Sequence, residues 1–173
     1  MKGEINMDEY GYRIFLNAKK DKDLEAMEDV YKIYPEDARI KYEYAILLIN
    51  NDKLDEAKEL LLGLLKYGTE KDKNMSLMQL GKIELIKNNL EQSKKYFLNL
   101  TCSKNLKDNL MGTFYLGKIA VLEEDYEEAK LCFNEIIENE NLSDKDKSYT
   151  KLELGRVMVL DKNYEEARKI FTN

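Results

Sequence analysis

Apolar residues return every three or four positions along most of this chain, and the polar clusters that interrupt them are short. The stretch around Leu77 is representative. Leu77 and Leu80 set a face, Ile83 and Leu85 continue it, and Glu84 interrupts the row. That period predicts amphipathic helices. The interruptions carry helix-start chemistry. Asn89, Asp125 and Asn163 are favourable N-cap residues, followed three positions later by Gln92, Glu128 and Glu166, the spacing of a capping box. Ser143 and Asp146 repeat the arrangement further on, and Pro35 separates two helices early in the chain. Ten helices of roughly 12–18 residues are expected, with short connections and no domain linker.

The helices form related pairs. Leu80-Gly81-Lys82-Ile83 recurs as Leu116-Gly117-Lys118-Ile119 and as Leu154-Gly155-Arg156-Val157. Twelve residues after each glycine stands a small residue, Ser93, Ala129 or Ala167, and four further on stands Phe97, Phe133 or Phe171. An upstream copy has Ala45, Ala57 and Leu61 at these places. From 45 to 81 to 117 to 155 the steps are 36, 36 and 38. A glycine inside a helix costs about 1 kcal/mol against alanine. Its return at one phase points to close helix packing that offsets the cost.

A small residue, a second one twelve on and an aromatic four further resembles the tetratricopeptide repeat. Asp125-Tyr126-Glu127-Glu128-Ala129 and Asn163-Tyr164-Glu165-Glu166-Ala167 look like the start of that family's second helix. The resemblance covers residues 38–173 in four copies. It implies an all-α, right-handed α-solenoid of antiparallel helix pairs. About five repeats are expected, near 7–34, 36–68, 72–104, 107–140 and 143–173, in one domain over 1–173. Lys41, Leu77, Thr113 and Lys151 depart from the family, standing where it has a large aromatic. The closing proline appears once, and the steps exceed the family period of about 34. The first unit is degenerate: Gly11 lies 34 before Ala45 but sets Asp23 at the second small position, whereas a shift by three sets Ala26 there.

Composition narrows the function. Of 173 residues 43% are hydrophobic, enough for a core, and one proline with eight glycines favours helices. The net charge of −6, with no Lys/Arg run longer than two, disfavours nucleic acid. Cys102 and Cys132 lack metal or redox spacing and read as reduced intracellular thiols. Met1 to Asn6 carries no leader-like apolar run. The longest apolar run, Ala45 to Ile49, is far below the ~18 residues of a membrane span. A cytoplasmic protein is expected, and the Lys-, Asn- and Ile-rich composition resembles that of a low-GC bacterium.

The chain has no histidine, which removes the commonest general base and metal ligand. No phosphate-binding loop or nucleophile elbow is present, and Asp144-Lys145-Asp146 lacks the glycine and closing glutamate of a calcium loop. The acid pairs Asp55/Glu56, Glu127/Glu128 and Glu165/Glu166 fall at helix starts, where the macrodipole favours them. No enzyme activity, cofactor or metal is expected.

The resemblance places a ligand groove along the first helices of successive pairs, with the residue after the phase-setting glycine pointing into it. These are Lys82, Lys118 and Arg156, with Ile46 before them. One turn back lie Met78, Phe114 and Leu152, with Tyr42 before them; a further turn back lie Met75, Met111 and Tyr149, with Arg39 before them. A basic row beside an apolar and aromatic row implies a protein or peptide partner with a short acidic and apolar segment. With helices about 8–10 Å apart, three basic residues match about six extended residues. Solvation of an outward helix position explains the lysines equally, and packing between repeats explains the apolar row equally. Ile49, Leu85, Val121 and Val159 read as core. No asparagine matches the family's clamp for a C-terminal carboxylate. A binding scaffold or adaptor is the first expectation. The alternatives are a peptide-sensing regulatory domain of a longer bacterial signalling protein, and self-association through ends that expose Ile170 and Phe171.

Overall fold

One turn geometry recurs where the first helix of a pair ends. The first helix stops at a residue in the left-handed region: Lys22, Asp52, Asn88, Glu124 or Lys162, with φ from 55° to 61°. After Lys22, Asp52, Glu124 and Lys162 the next residue donates its N–H to the carbonyl five positions back. Asp23 does so to Ala18, Lys53 to Leu48, Asp125 to Ala120 and Asn163 to Met158, at 2.8–2.9 Å. This closure satisfies a carbonyl that the ended helix leaves orphaned. The same residue then opens the second helix. Asp23 Oδ1 accepts from the Ala26 N–H at 3.0 Å, and Asp125 Oδ1 from the Glu128 N–H at 3.1 Å.

The capping box expected at Asp125 therefore forms by half. The Asp125 N–H is committed to Ala120, and the Glu128 carboxylate accepts instead from the Cys132 thiol at 3.9 Å. A reciprocal box stands at Thr69 and Asp72.

The structure, a computed structural model, describes residues 7–172. Met1 to Asn6 and the side chain of Asp146, which the sequence reading used, lie outside the described residues. Ten helices are present among the described residues: α1 (Glu9–Asp21), α2 (Leu24–Ile33), α3 (Ala38–Asn50), α4 (Leu54–Tyr67), α5 (Glu70–Ile86), α6 (Leu90–Thr101), α7 (Leu106–Leu122), α8 (Tyr126–Glu138), α9 (Asp144–Leu160) and α10 (Tyr164–Thr172). They range from 9 to 17 residues, so α10, with 9, and α2, with 10, fall below the expected lengths. None among the described residues is long and apolar enough to cross a membrane. The helices fall into two compact units, Met1–Asn88 and Asn89–Asn173.

In the first unit α3, α4 and α5 close on Ile40, Leu48, Ala57, Leu61, Leu80 and Ile83, each 0–1% exposed. Glu84, which interrupts the apolar row, lies on this buried face at 1% exposure, paired with Lys58 at 2.5 Å. The left-handed residues fix the register of the first pair. Asp52, Asn88, Glu124 and Lys162 each stand seven after Ala45, Gly81, Gly117 or Gly155, and seven before Lys22 is Phe15. The twelve-residue partner of Phe15 is Met27, at 0% exposure, and the residue four further is Tyr31, stacked on Tyr44 at 5.2 Å. Neither Gly11 nor Ala26 holds the phase. The first pair has bulky residues where the others have small ones.

The second unit packs Phe114, Phe133, Ile136, Leu154 and Val157 into one cluster. Phe97 is fully buried and stacks on Tyr115 at 4.6 Å. A Cβ at Gly117 would meet Phe133 at 2.8 Å, the packing reason for that glycine. The step of 38 arises because α8 has 13 residues against 12 in α6, and the loop after it has five residues, 139–143, against four, 102–105. Val159 is 44% exposed, and Ile49, Leu85 and Val121 are half-buried, so this row is not the closed core expected. It sits at the C-terminal end of the first helices, where the covering second helix has only begun.

Candidate peptide-binding site

One face of α7 carries Lys107, Met111, Phe114 and Lys118, spaced four, three and four apart. In a helix of 3.6 residues per turn these lie in a single row. The row forms one wall of a cavity of about 410 Å³ in the second unit. Tyr149 and Thr150 of α9 face it, Ile136 of α8 and Leu110 of α7 line it, and Leu142 of the intervening loop closes one side. The Phe114 ring organises the wall. It lies 5.5 Å from the Tyr149 ring, 5.6 Å from Phe133 and 5.7 Å, edge-on, from Tyr115. Offset and edge contacts of this kind stabilise aromatic clusters beyond their area.

The electrostatics of the cavity are one-sided. Lys107 and Lys118 are its charged lining residues, and neither forms an ion pair among the described residues. The Lys118 ammonium stands 5.8 Å from the centre of the Phe114 ring, a cation–π arrangement. Interaction with the Glu153 carboxylate raises the Tyr149 phenol pKa above its ordinary value. Burial raises that of Tyr115.

The structure brings together four of the residues picked from sequence: Met111, Phe114, Lys118 and Tyr149. Leu152 and Arg156 share α9 but do not line the cavity. Leu152 is 39% exposed, and Arg156 is tied to Glu153 at 2.9 Å. The remainder belong to the first unit. The Tyr42 hydroxyl accepts from Gln79 Nε2 at 3.0 Å, linking α3 to α5, and burial raises its pKa. Arg39 holds Asp37 at 2.7 Å. Met75 and Met78 are half-buried, and burial lowers the pKa of the Lys82 ammonium.

Sequence reasoning missed Lys107, Leu110, Tyr115, Ile136, Leu142 and Thr150. Lys107 had a usable signal, since it stands one turn before Met111 on the same row. Leu142 had none, because its place depends on the length of the loop after α8.

Comparison with known proteins adds a family. Residues 24–76, from α2 into α5, match the tetratricopeptide repeat family model. Over those residues the chain is similar to tetratricopeptide repeats. No curated protein matches the sequence. Solved structures that it resembles include MamA of Desulfovibrio magneticus RS-1, at TM-score 0.68 and 14% identity over 96% of this chain and 94% of that one. PilF of Pseudomonas aeruginosa gives TM-score 0.72 and 15% identity over 94% of this chain and 72% of that one. The TPR-like repeats of a kinesin light chain-like protein from Podosopora anserina give TM-score 0.68 and 15% identity over 95% and 89%. At these identities the likeness is one of fold, and the fold is the all-α tetratricopeptide solenoid. Tetratricopeptide repeats are in general non-catalytic scaffolds for protein–protein interaction.

Proposed function

We propose that the chain is a cytoplasmic adaptor that binds a short acidic and apolar segment of another protein at the cavity beside α7. The carrying observation is the cavity beside α7, where Met111, Phe114, Lys118 and Tyr149 stand together as apolar walls with cationic ends. Exposed ion pairs contribute about 0–1 kcal/mol each, whereas micromolar binding needs about 8 kcal/mol. The aromatic walls therefore supply most of the affinity, and the lysines supply selection and encounter rate.

The test is affinity capture from a cell extract with the wild-type chain and with a Lys107→Glu, Met111→Glu, Lys118→Glu variant whose folding is checked by circular dichroism. Leu131→Glu, at a residue 66% exposed on α8, serves as a control away from the cavity. A partner held by wild type and control but lost by the triple variant supports the reading. Equal capture by all three refutes it.

A second reading has its own observation. Phe171 is 51% exposed, whereas its counterparts Leu61, Phe97 and Phe133 are fully buried, and Tyr164 on the same helix is 63% exposed. Self-association through α10 would cover them. Mass in solution that rises with concentration, and stays monomeric in Phe171→Glu, supports it; a concentration-independent monomer sinks it.

A further inference from the structure

We infer that the cavity beside α7 takes one bulky apolar side chain of an extended peptide running along α7, with a carboxylate on either side of that anchor. The inference rests on the peptide-binding reading above and specifies its ligand.

The argument begins with the row on α7. Eleven residues separate Lys107 from Lys118. At about 3.6 residues per turn they are three turns apart and nearly in line, and at 1.5 Å per residue they stand about 16 Å apart along the axis. Between them the row is apolar, Met111 and Phe114, and Tyr149 faces it from α9. The cavity thus has two cationic ends and an apolar middle. Among the described residues no carboxylate lines it, although the chain has 34 acidic residues against 28 basic ones. Many other lysines here, such as Lys19, Lys58, Lys94 and Lys130, have carboxylate partners. The charge left over is positive, and its complement is an acidic ligand.

Geometry sets the spacing. An extended chain advances about 3.3 Å per residue, so about five residues separate two carboxylates that reach both lysines. The cavity, about 410 Å³, lies within the range of about 300–1,000 Å³ found for ligand pockets. Met111 at 43% and Tyr149 at 53% exposure leave it open along its length, which suits a passing chain better than an enclosed small molecule. The ligand therefore follows one helix, where the sequence pattern had pointed to a ligand crossing three.

The experiment is fluorescence anisotropy with defined peptides. The parent probe has two glutamates five positions apart around one phenylalanine, in a Gly/Ser/Ala background. It is expected to bind more tightly than probes with the glutamates two or nine positions apart. Replacing its phenylalanine by serine weakens binding about thirtyfold, the loss typical of a binding anchor. Lys107→Glu and Lys118→Glu each weaken it about fivefold. A probe with lysine in place of one glutamate then regains affinity for one of these two variants and not for the other, which gives the peptide direction. Lys118→Gln, without the reversed charge, gives an intermediate loss and guards against misfolding of the Glu variant. Equal affinity at all three spacings, or no charge-swap recovery, overturns the proposal. So does 3-phenylpropionate competing as strongly as the peptide, which would make this a small-molecule site. If no probe binds while extract capture still depends on the lysines, this ligand is wrong and the broader reading stands.

Discussion

Gly63 and Gly112 both lie inside helices, yet alanine should move stability in opposite directions at the two positions. A Cβ at Gly63, in α4, would meet nothing within 4 Å. Alanine there gains about 1 kcal/mol through the lower entropy of its unfolded chain and its better helix propensity. A Cβ at Gly112, in α7, would lie 2.9 Å from the Phe97 carbonyl oxygen, the Thr101 backbone nitrogen and Thr101 Cγ2. Two of these are backbone atoms of α6, so no side chain can turn away and the two helices must separate. Overpacking of this kind costs about 1–3 kcal/mol, and rigid neighbours set it near the upper end. Less the propensity gain, Gly112→Ala should lose about 1–2 kcal/mol. Urea unfolding followed by circular dichroism measures both variants. With a slope of about 2 kcal/mol per molar, the midpoint should rise about 0.5 M for Gly63→Ala and fall about 0.5–1 M for Gly112→Ala, with the slope unchanged. A Gly112→Ala protein as stable as wild type would refute the claim that backbone approach fixes this glycine.

Other outcomes follow from single groups. Ser76 is fully buried and its hydroxyl has no hydrogen-bond partner among the described residues, so Ser76→Ala should hold or raise stability by up to about 1 kcal/mol in the same unfolding assay. Of the two thiols, exposed Cys102 should react at once with a maleimide, and Cys132 only on unfolding. Burial pushes the Cys132 thiol up to about 11. The unfolded chain releases this proton near the ordinary thiol value of about 8.5, so stability should fall from there until the folded thiol also ionises, and Cys132→Ala should show a smaller fall that starts later, where the tyrosines ionise. Asp37 accepts from the Arg39 N–H at 2.9 Å to cap α3, and although burial opposes it, hydrogen bonds from Arg39 lower its pKa. Asp37→Ala should cost about 0.5–2 kcal/mol above the ordinary carboxylate pKa. The difference from wild type should vanish as pH falls through the depressed folded value, and a constant difference across that range would contradict the capping account.

The repeat phase from Ala45 to Gly155 was legible because close approach of paired helices demands a small residue, and smallness shows in the sequence. The first pair was not, because Phe15 and Met27 meet the same contact with bulk, and a search for small residues slides past them to Gly11 and Ala26. Glu84 read as an interruption because its partner Lys58 comes from another helix, twenty-six residues away. At the cavity, helical spacing found Met111, Phe114 and Lys118. It also proposed Arg156, whose charge Glu153 occupies one turn away. Which residues converge depended on loop lengths and on local ion pairs, and neither leaves a periodic mark.

The turns within the helix pairs set one limit on how this chain can drift. Five different positions adopt the same left-handed angle, and none is glycine. Lysine occurs twice, with glutamate, aspartate and asparagine once each. What these positions share is a dihedral angle, held by a backbone hydrogen bond that any residue except proline can donate. Mutation among residues unbranched at Cβ can therefore rewrite turn side chains while the reversal stays in place. Surface chemistry at that edge can diversify from one repeat to the next, and a copied helix pair arrives with its own means of folding back.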